Sequence, residues 1–211
     1  MHNKPIFVTG IGTGIGKTIV SAVLVEKLKA DYWKPVQSGD LDNSDTAKVK
    51  SLVTNTTSIF HPEAYRLTEP FSPHKSAAID GVHIDPDKIT MPITKNTLII
   101  EGAGGLMVPL NNTFLMIGLI KQLGAEVILV TQNYLGSINH TLLSIYALKK
   151  EGIPVKGVIF NGAEDIYSKE FILEHSGLKL LGHMPEYNVI DKKAIIDAGN
   201  YIGEWWLERG G

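Results

Sequence analysis

One stretch near the start of the chain, Pro5 to Val25, limits the folds open to it: PIFVTGIGTGIGKTIVSAVLV. The apolar run Ile6 to Val8 reads as a buried strand and Gly10 to Gly16 as a glycine-rich turn. From Lys17 through Leu28 there is no Pro or Gly, which predicts a helix. Strand, glycine loop and helix in that order present backbone N–H groups and a helix N-terminus to phosphate. Lys17 can reach terminal phosphates, and the Thr18 hydroxyl suits a Mg²⁺ ion. The loop is one residue longer than the common phosphate-loop pattern, because Ile11 stands where the first Gly is expected and Gly10 precedes it. A ligand-free tight turn is the bland alternative, and it explains Gly-Lys-Thr at a helix start less well. Gly12, Gly14 and Gly16 also lack the Gly-x-Gly-x-x-Gly spacing of dinucleotide sites.

The rest of the chain repeats the alternation. Tyr32 to Val36 reads as a second strand, leading into KPVQSG, Lys34 to Gly39. Ligands of open parallel sheets lie beyond the carboxyl ends of strands, so Lys34 and Ser38 are candidate site residues; a solvated loop lysine is the equal alternative. Asn43-Ser44-Asp45 precedes a helix over Thr46 to Leu52, and a simple N-cap at Asn43 or Ser44 explains that pattern. Between Thr54 and Thr97 five prolines break the pattern into a short strand, Ala64 to Leu67, and a loop with a short helix, Phe71 to Gly81.

Thr97 to Ile100 reads as a central strand running straight into Glu101-Gly-Ala-Gly-Gly105. A carboxylate at that strand end is placed to bind a metal held with the nucleotide; helix capping or solvation is the alternative. Further helices are expected at Met116 to Leu123, Ser137 to Glu151, Tyr167 to His175 and Lys192 to Leu207. The last is expected to pack the Trp205-Trp206 pair on the body. Further strands are expected at Glu126 to Thr131, Val155 to Phe160 and Leu178 to Leu181. Gly136, Ser137, Ile138 and Asn139 open the second of those helices, as an anion site or as ordinary Ser137 capping. Six or seven strands alternating with helices predict one α/β domain over 1–211, with a doubly wound, mostly parallel sheet of the P-loop NTPase kind.

Composition narrows the functions. The 211 residues carry a net charge of −2, so no strong polyanion surface and no nucleic-acid partner are expected. There is no Cys, which excludes thiolate catalysis and disulfides and suits a reducing cytoplasm. The seven His are scattered without metal-ligand spacing. The first strand follows the N-terminus almost at once, leaving no room for a secretory signal. No apolar run approaches the ~20 residues that span a bilayer. A cytoplasmic protein without a membrane partner is expected.

Four segments in order, GTGIGKT, KPVQSG, NSD before a helix, and IEGAGG with Pro109 after it, resemble the dethiobiotin synthetase family. LGSINH and the strand end Phe160-Asn161 add to the likeness, which runs from Ile6 to about Tyr187. The long phosphate loop is a property of that family. The resemblance implies ATP- and Mg²⁺-dependent carboxylation of 7,8-diaminononanoate with CO₂ and closure of a ureido ring, in biotin biosynthesis.

It also implies roles. Thr13, Gly14, Ile15, Gly16, Lys17, Thr18 and Ile19 would hold the phosphates, with Gly102, Ala103 and Gly104 beside them. Thr18, Asp45 and Glu101 would be Mg²⁺ ligands. Lys34 would be the catalytic lysine, together with Lys17. Thr13 and Ser38 would face the diamine. Asn161, Met184, Pro185 and Glu186 would border the nucleotide base. Gly12 and Gly14 stand where some members carry acidic loop residues, so no loop carboxylate is expected here. Neither Arg66 nor Arg209 lies in the matching motifs, so the substrate carboxylate is expected at the helix start Gly136 to Asn139, which the resemblance implies is supplied by the second subunit of a homodimer.

Two rivals share the nucleotide chemistry. A chromosome-partitioning type of ATPase switch usually has a second Lys early in the loop, where this chain has Gly10, Ile11 and Gly12. A small-molecule kinase would release a stable phosphorylated product.

Overall fold

The computed structural model describes residues 4–204. Its centre is β1 (Ile6–Gly10), buried at all five positions. Gly16, in the left-handed region at φ 92°, turns the chain into α1 (Lys17–Leu28). That helix ends where the Lys29 N–H bonds the Val25 carbonyl. The chain continues through β2 (Asp31–Trp33), β3 (Val36–Ser38), α2 (Asp45–Leu52), β4 (Phe60–His61), β5 (Tyr65–Leu67) and α3 (Pro73–Ile79). Next come β6 (Leu98–Gly105), α4 (Met116–Gln122), β7 (Glu126–Thr131) and α5 (Ser137–Lys150). Last are β8 (Val155–Asn161), α6 (Ile166–Ser176), β9 (Leu180–Met184) and α7 (Lys192–Ala198).

Seven strands form one sheet in the order β4-β2-β6-β1-β7-β8-β9. Every pairing in it is parallel. Alternate residues of each strand point to opposite faces. Phe7, Leu98, Ile100, Val127 and Leu129 accordingly join one core with α4, α5 and α6 residues. Ile6, Val8, Ile99, Ile128 and Val130 join a second core with α1 and α7 residues. Strands buried on both faces read as continuous apolar runs, which is why β7 and β8 were recognisable. Because β1 sits between β6 and β7, the chain winds to both sides of it. The glycine loop lies at that reversal, where open α/β sheets leave a crevice.

Five elements depart from the sequence expectation. The strand expected over Tyr32 to Val36 is divided, and β3 pairs instead with β5 in a separate two-stranded sheet. Pro35 has no N–H and restricts Lys34, so the ladder stops at Trp33. The glycine run after Glu101 stays in β6, with Gly105 in register with Gly10. A Cβ on Gly102 would stand 2.8 Å from the Phe7 ring, so the glycines permit this close pairing.

The short edge strand β4 lacked any alternation to announce it. The final strand is shifted to Leu180–Met184. The final helix stops at Ala198, followed by a 3-10 turn, Gly199–Tyr201. There Lys27 Nζ donates to the Gly199 and Ile202 carbonyls at 2.6 and 3.0 Å, and Ile202 bridges to Gly182 at the sheet edge. Those contacts draw the chain out of the helix. The Trp205-Trp206 pair and Arg209 lie outside the described residues.

Candidate active site

The phosphate loop is anchored from below. Ile15 is 4% exposed and fills the space beside Gly10, where an added Cβ would meet its side chain. Thr13 and Gly14 are exposed at the loop tip. Lys17 folds back so that Nζ donates to the Gly12 carbonyl at 2.7 Å. Burial lowers the Lys17 ammonium to about 8, against an opposing pull from Glu101. Gly16 is pressed against Asn161, whose Nδ2 donates to the Ile15 carbonyl at 3.1 Å. The loop is therefore tied to the end of β8, 146 residues away in sequence.

Beside the loop, the starts of α1 and α2, the end of β2 and the middle of β6 converge. Thr18 Oγ1 donates to Glu101 Oε1 at 2.8 Å and lies 3.1 Å from Asp45 Oδ1. Lys34 Nζ is 2.7 Å from Asp45 Oδ2 and 3.4 Å from Glu101 Oε1. Burial pushes the Lys34 ammonium down, but Glu101 and Asp45 outweigh it and hold the pKa above the ordinary lysine value. Burial likewise raises the Asp45 carboxyl, and Lys34, Thr18 and Lys48 together outweigh that, so the net shift is downward. A buried ammonium between two carboxylates thus stays charged.

Asp45 reaches this point because it opens α2, where Ser44 caps the helix by accepting from the Ala47 N–H at 3.2 Å. Ser44 caps the helix, and Asp45 faces Lys34 and Thr18. Glu101 is 1% exposed and serves no helix cap.

A cleft of about 540 Å³ opens beside this cluster, lined by Thr13, Lys34, Ser38, Asp45, Ala103 and Gly104 among others. The Ser38 hydroxyl on its wall is buried and has no hydrogen-bond partner among the described residues. An orphaned buried hydroxyl facing a cleft is a ready ligand contact. Phe71, Pro73 and Val108 supply an apolar side that the sequence reading did not assign.

Gln37, also on the cleft, was missed as well: its Oε1 accepts from the Asp45 N–H at 3.2 Å. No motif singles it out within KPVQSG. Tyr32 was missed for the same reason, and its hydroxyl donates to Glu101 Oε2 at 2.9 Å. Burial and the neighbouring Glu101 push the Tyr32 phenol well above its usual value, so it remains a donor.

The remaining candidates lie apart. Met184 is fully buried in the core, and its carbonyl accepts from the Gly162 N–H at 2.9 Å. Pro185 is half-buried and Glu186 exposed beside that turn. Ile19 is half-buried on α1. Gly136, at φ 102°, is the N-cap of α5, with no side-chain cap. Ser137 is therefore the buried first residue of the helix rather than its cap. Gly136, Ile138 and Asn139 line a different cleft of about 740 Å³ with Tyr134, Leu135 and Ser168, so within one chain they do not meet Lys34.

Among the described residues no group of three or more His, Cys, Asp or Glu side chains could hold a metal by itself. No helix among them is long and apolar enough to cross a membrane.

Comparison with known proteins agrees with this geometry. A family model described as an AAA domain matches residues 4–194. An ATP-dependent dethiobiotin synthetase of Christiangramia forsetii is 50% identical over 192 residues, covering 91% of this chain and 92% of that one. One from Cytophaga hutchinsonii is 47% identical over 206 residues, covering 97% of this chain and all of the other. The cell-division ATPase MinD of Pyrococcus furiosus superposes with a TM-score of 0.61 at 16% identity, covering 94% of this chain and 98% of that chain. At that identity the likeness shows the fold alone.

Proposed function

The chain belongs to the ATP-dependent dethiobiotin synthetase family, and from that premise we propose how its residues close a ureido ring. The reaction consumes 7,8-diaminononanoate, CO₂ and ATP. One amine adds to CO₂ and loses a proton, giving a carbamate. The carbamate oxygen takes the γ-phosphoryl group of ATP, releasing ADP and leaving a carbamic-phosphoric anhydride. The second amine attacks the carbonyl carbon and expels phosphate, which closes the ring.

The observation that carries this reading is the convergence of Lys17, Thr18, Lys34, Asp45 and Glu101 beside the Ser38 cleft. Two anions, a carbamate and a γ-phosphoryl group, must meet, and their repulsion needs fixed positive charge. Lys17 and the loop N–H groups, from Thr13 to Thr18, take the phosphates. Lys34 leaves its carboxylate partners enough to face the carbamate and the transferring group. Ser38 and Thr13 orient the diamine. Asn161, Pro185 and Glu186 border the base, and Met184 holds their turn from the core. A family activity of this kind needs no enzyme nucleophile, which agrees with a chain lacking Cys.

The donor set also fits Mg²⁺. Thr18 Oγ1, Asp45 and Glu101 supply hard oxygens within 3.1 Å of the hydroxyl. Two carboxylates completed by phosphate oxygens and water suit a small ion that keeps part of its hydration shell. Bound with the nucleotide, it would neutralise developing charge on the phosphates.

The site is proposed to be shared in a homodimer, with Gly136 to Asn139 of one chain receiving the substrate carboxylate near the other chain's phosphate loop. Supporting this, Leu135 is fully exposed at that helix start, and Met107, Leu143 and Tyr146 expose apolar surface around the cleft beside Gly12 and Thr13. A homodimer would form two equal sites. A fully active monomer in sedimentation would overturn the shared site.

The test of function is carbon fixation. Labelled bicarbonate, diamine and Mg-ATP should give a labelled, acid-stable ring with one ADP and one phosphate released. ATP hydrolysis without label uptake would favour a switch, and an accumulating phosphorylated amine would favour a kinase. Neither rival is favoured by relatives of 47–50% identity that bear the synthetase name.

A further inference from the structure

The Glu101 carboxylate is fixed from both sides. Oε1 accepts from Thr18 Oγ1 at 2.8 Å and lies 3.4 Å from Lys34 Nζ, on the side of the phosphate loop. Oε2 points the other way, into the sheet, where the Tyr32 hydroxyl donates to it at 2.9 Å. Tyr32 is fully buried and Glu101 is 1% exposed.

Register explains the contact. Tyr32 of β2 is paired with Ile99 of β6, and Glu101 lies two residues further on the same face. A diagonal neighbour across adjacent strands is within reach of a long aromatic side chain. The ring itself is held by the strand between β4 and β6 and by Phe60, with ring centroids 6.0 Å apart. The hydroxyl therefore has a fixed origin.

We propose that Tyr32 is a positioning residue for the metal-binding carboxylate: its hydroxyl holds Glu101 by Oε2 so that Oε1 faces Thr18. The inference rests on the reading of Thr18, Asp45 and Glu101 as the Mg²⁺ oxygens. A carboxylate left without this donor is free to rotate about its last bond, or to turn both oxygens to Lys34. Outer partners of metal ligands commonly govern affinity by about 10- to 100-fold.

Mn²⁺ binding to the ADP complex, followed by electron paramagnetic resonance, reads this without turnover. Glu101→Gln should remove tight Mn²⁺ binding in the wild-type background. Tyr32→Phe should raise the Mn²⁺ Kd about 10-fold, while metal-free ADP affinity stays the same. Replacing Tyr32 with 4-methylphenylalanine, which keeps the volume but lacks the donor, should match the Phe variant, and it covers the case in which Tyr32→Phe does not fold. Replacing it with 4-aminophenylalanine, which restores a donor, should recover most of the affinity. A structural role alone would lower stability and leave the Mn²⁺ Kd of the folded protein unchanged. If Glu101→Gln abolishes binding but the donor-free variants stay within about twofold of wild type, the positioning role is wrong. If Glu101→Gln itself binds Mn²⁺ normally, the ligand reading fails, and this inference fails with it.

Discussion

Asp31 and Glu101 are both buried carboxylates on neighbouring strands of one sheet, yet Asp31 begins β2 and Glu101 lies within β6, one residue past the last pairing with β2. Asp31 Oδ1 accepts from Asn96 Nδ2 at 2.8 Å and the Ile59 N–H at 2.9 Å. Its Oδ2 accepts from Thr94 Oγ1 at 2.5 Å, with the His61 ring 3.4 Å away. Burial pushes the Asp31 carboxyl up, and these donors outweigh it, so the net shift is downward. Thr94, Asn96 and Ile59 belong to the segments that precede β6 and β4, and His61 belongs to β4 itself.

Glu101 is held differently. One oxygen is committed to Tyr32, and the other is shared between a hydroxyl and an ammonium that border an open cleft. The first arrangement is closed and locks an edge of the sheet. The second leaves partners that can exchange for a ligand. Burial alone therefore does not distinguish a structural carboxylate from a functional one; the identity and freedom of its partners do.

The widest separation is expected between Glu101→Gln and Asp31→Asn. Glu101→Gln should lower turnover by about 10²- to 10³-fold, as for loss of a charge-stabilising group, with the fold intact by circular dichroism. Asp31→Asn should leave turnover per folded molecule within about twofold and lose stability instead. A large turnover loss in Asp31→Asn would break the contrast.

Lys34→Gln sharpens the functional side. It keeps length and removes charge, so kcat should fall by about 10²-fold, as expected for a lost transition-state contact, while the diamine KM changes little. Equal losses in both would make Lys34 a binding residue only.

Acid unfolding tests the structural side. Because the folded pKa of Asp31 lies below its ordinary value, its contribution is present above about pH 4 and is lost as pH falls through the folded pKa. Asp31→Asn should cost about 1.5–3 kcal/mol at neutral pH and flatten the acid limb of a urea-midpoint profile. An unchanged acid limb would show that Asp31 is not the group titrating there. The smallest expected effect is Thr94→Ala, about 1 kcal/mol in the same measurement, with ADP affinity unaltered.

Much of the fold was legible because it is written at short range. The apolar runs of β1, β7 and β8 and the periodicity of α5 predicted their elements closely. The break between β2 and β3 was legible in principle from Pro35, yet the run of apolar residues across it obscured the stop. The end of α7 was not legible, because it depends on Lys27 reaching across from α1.

By itself the sequence determined the strand–loop–helix order, the Gly-Lys-Thr at the helix start, and a glutamate following a buried apolar run. These are properties of neighbouring residues, and local sterics and apolar periodicity enforce them. Only the tertiary structure decided that Thr18 meets Asp45, 27 residues away, and Glu101, 83 residues away. It alone put Asn161 against Gly16, and a tyrosine beneath the glutamate. Such meetings follow from strand order and register, which set the partner of each side chain across the sheet and leave no periodic trace along the chain.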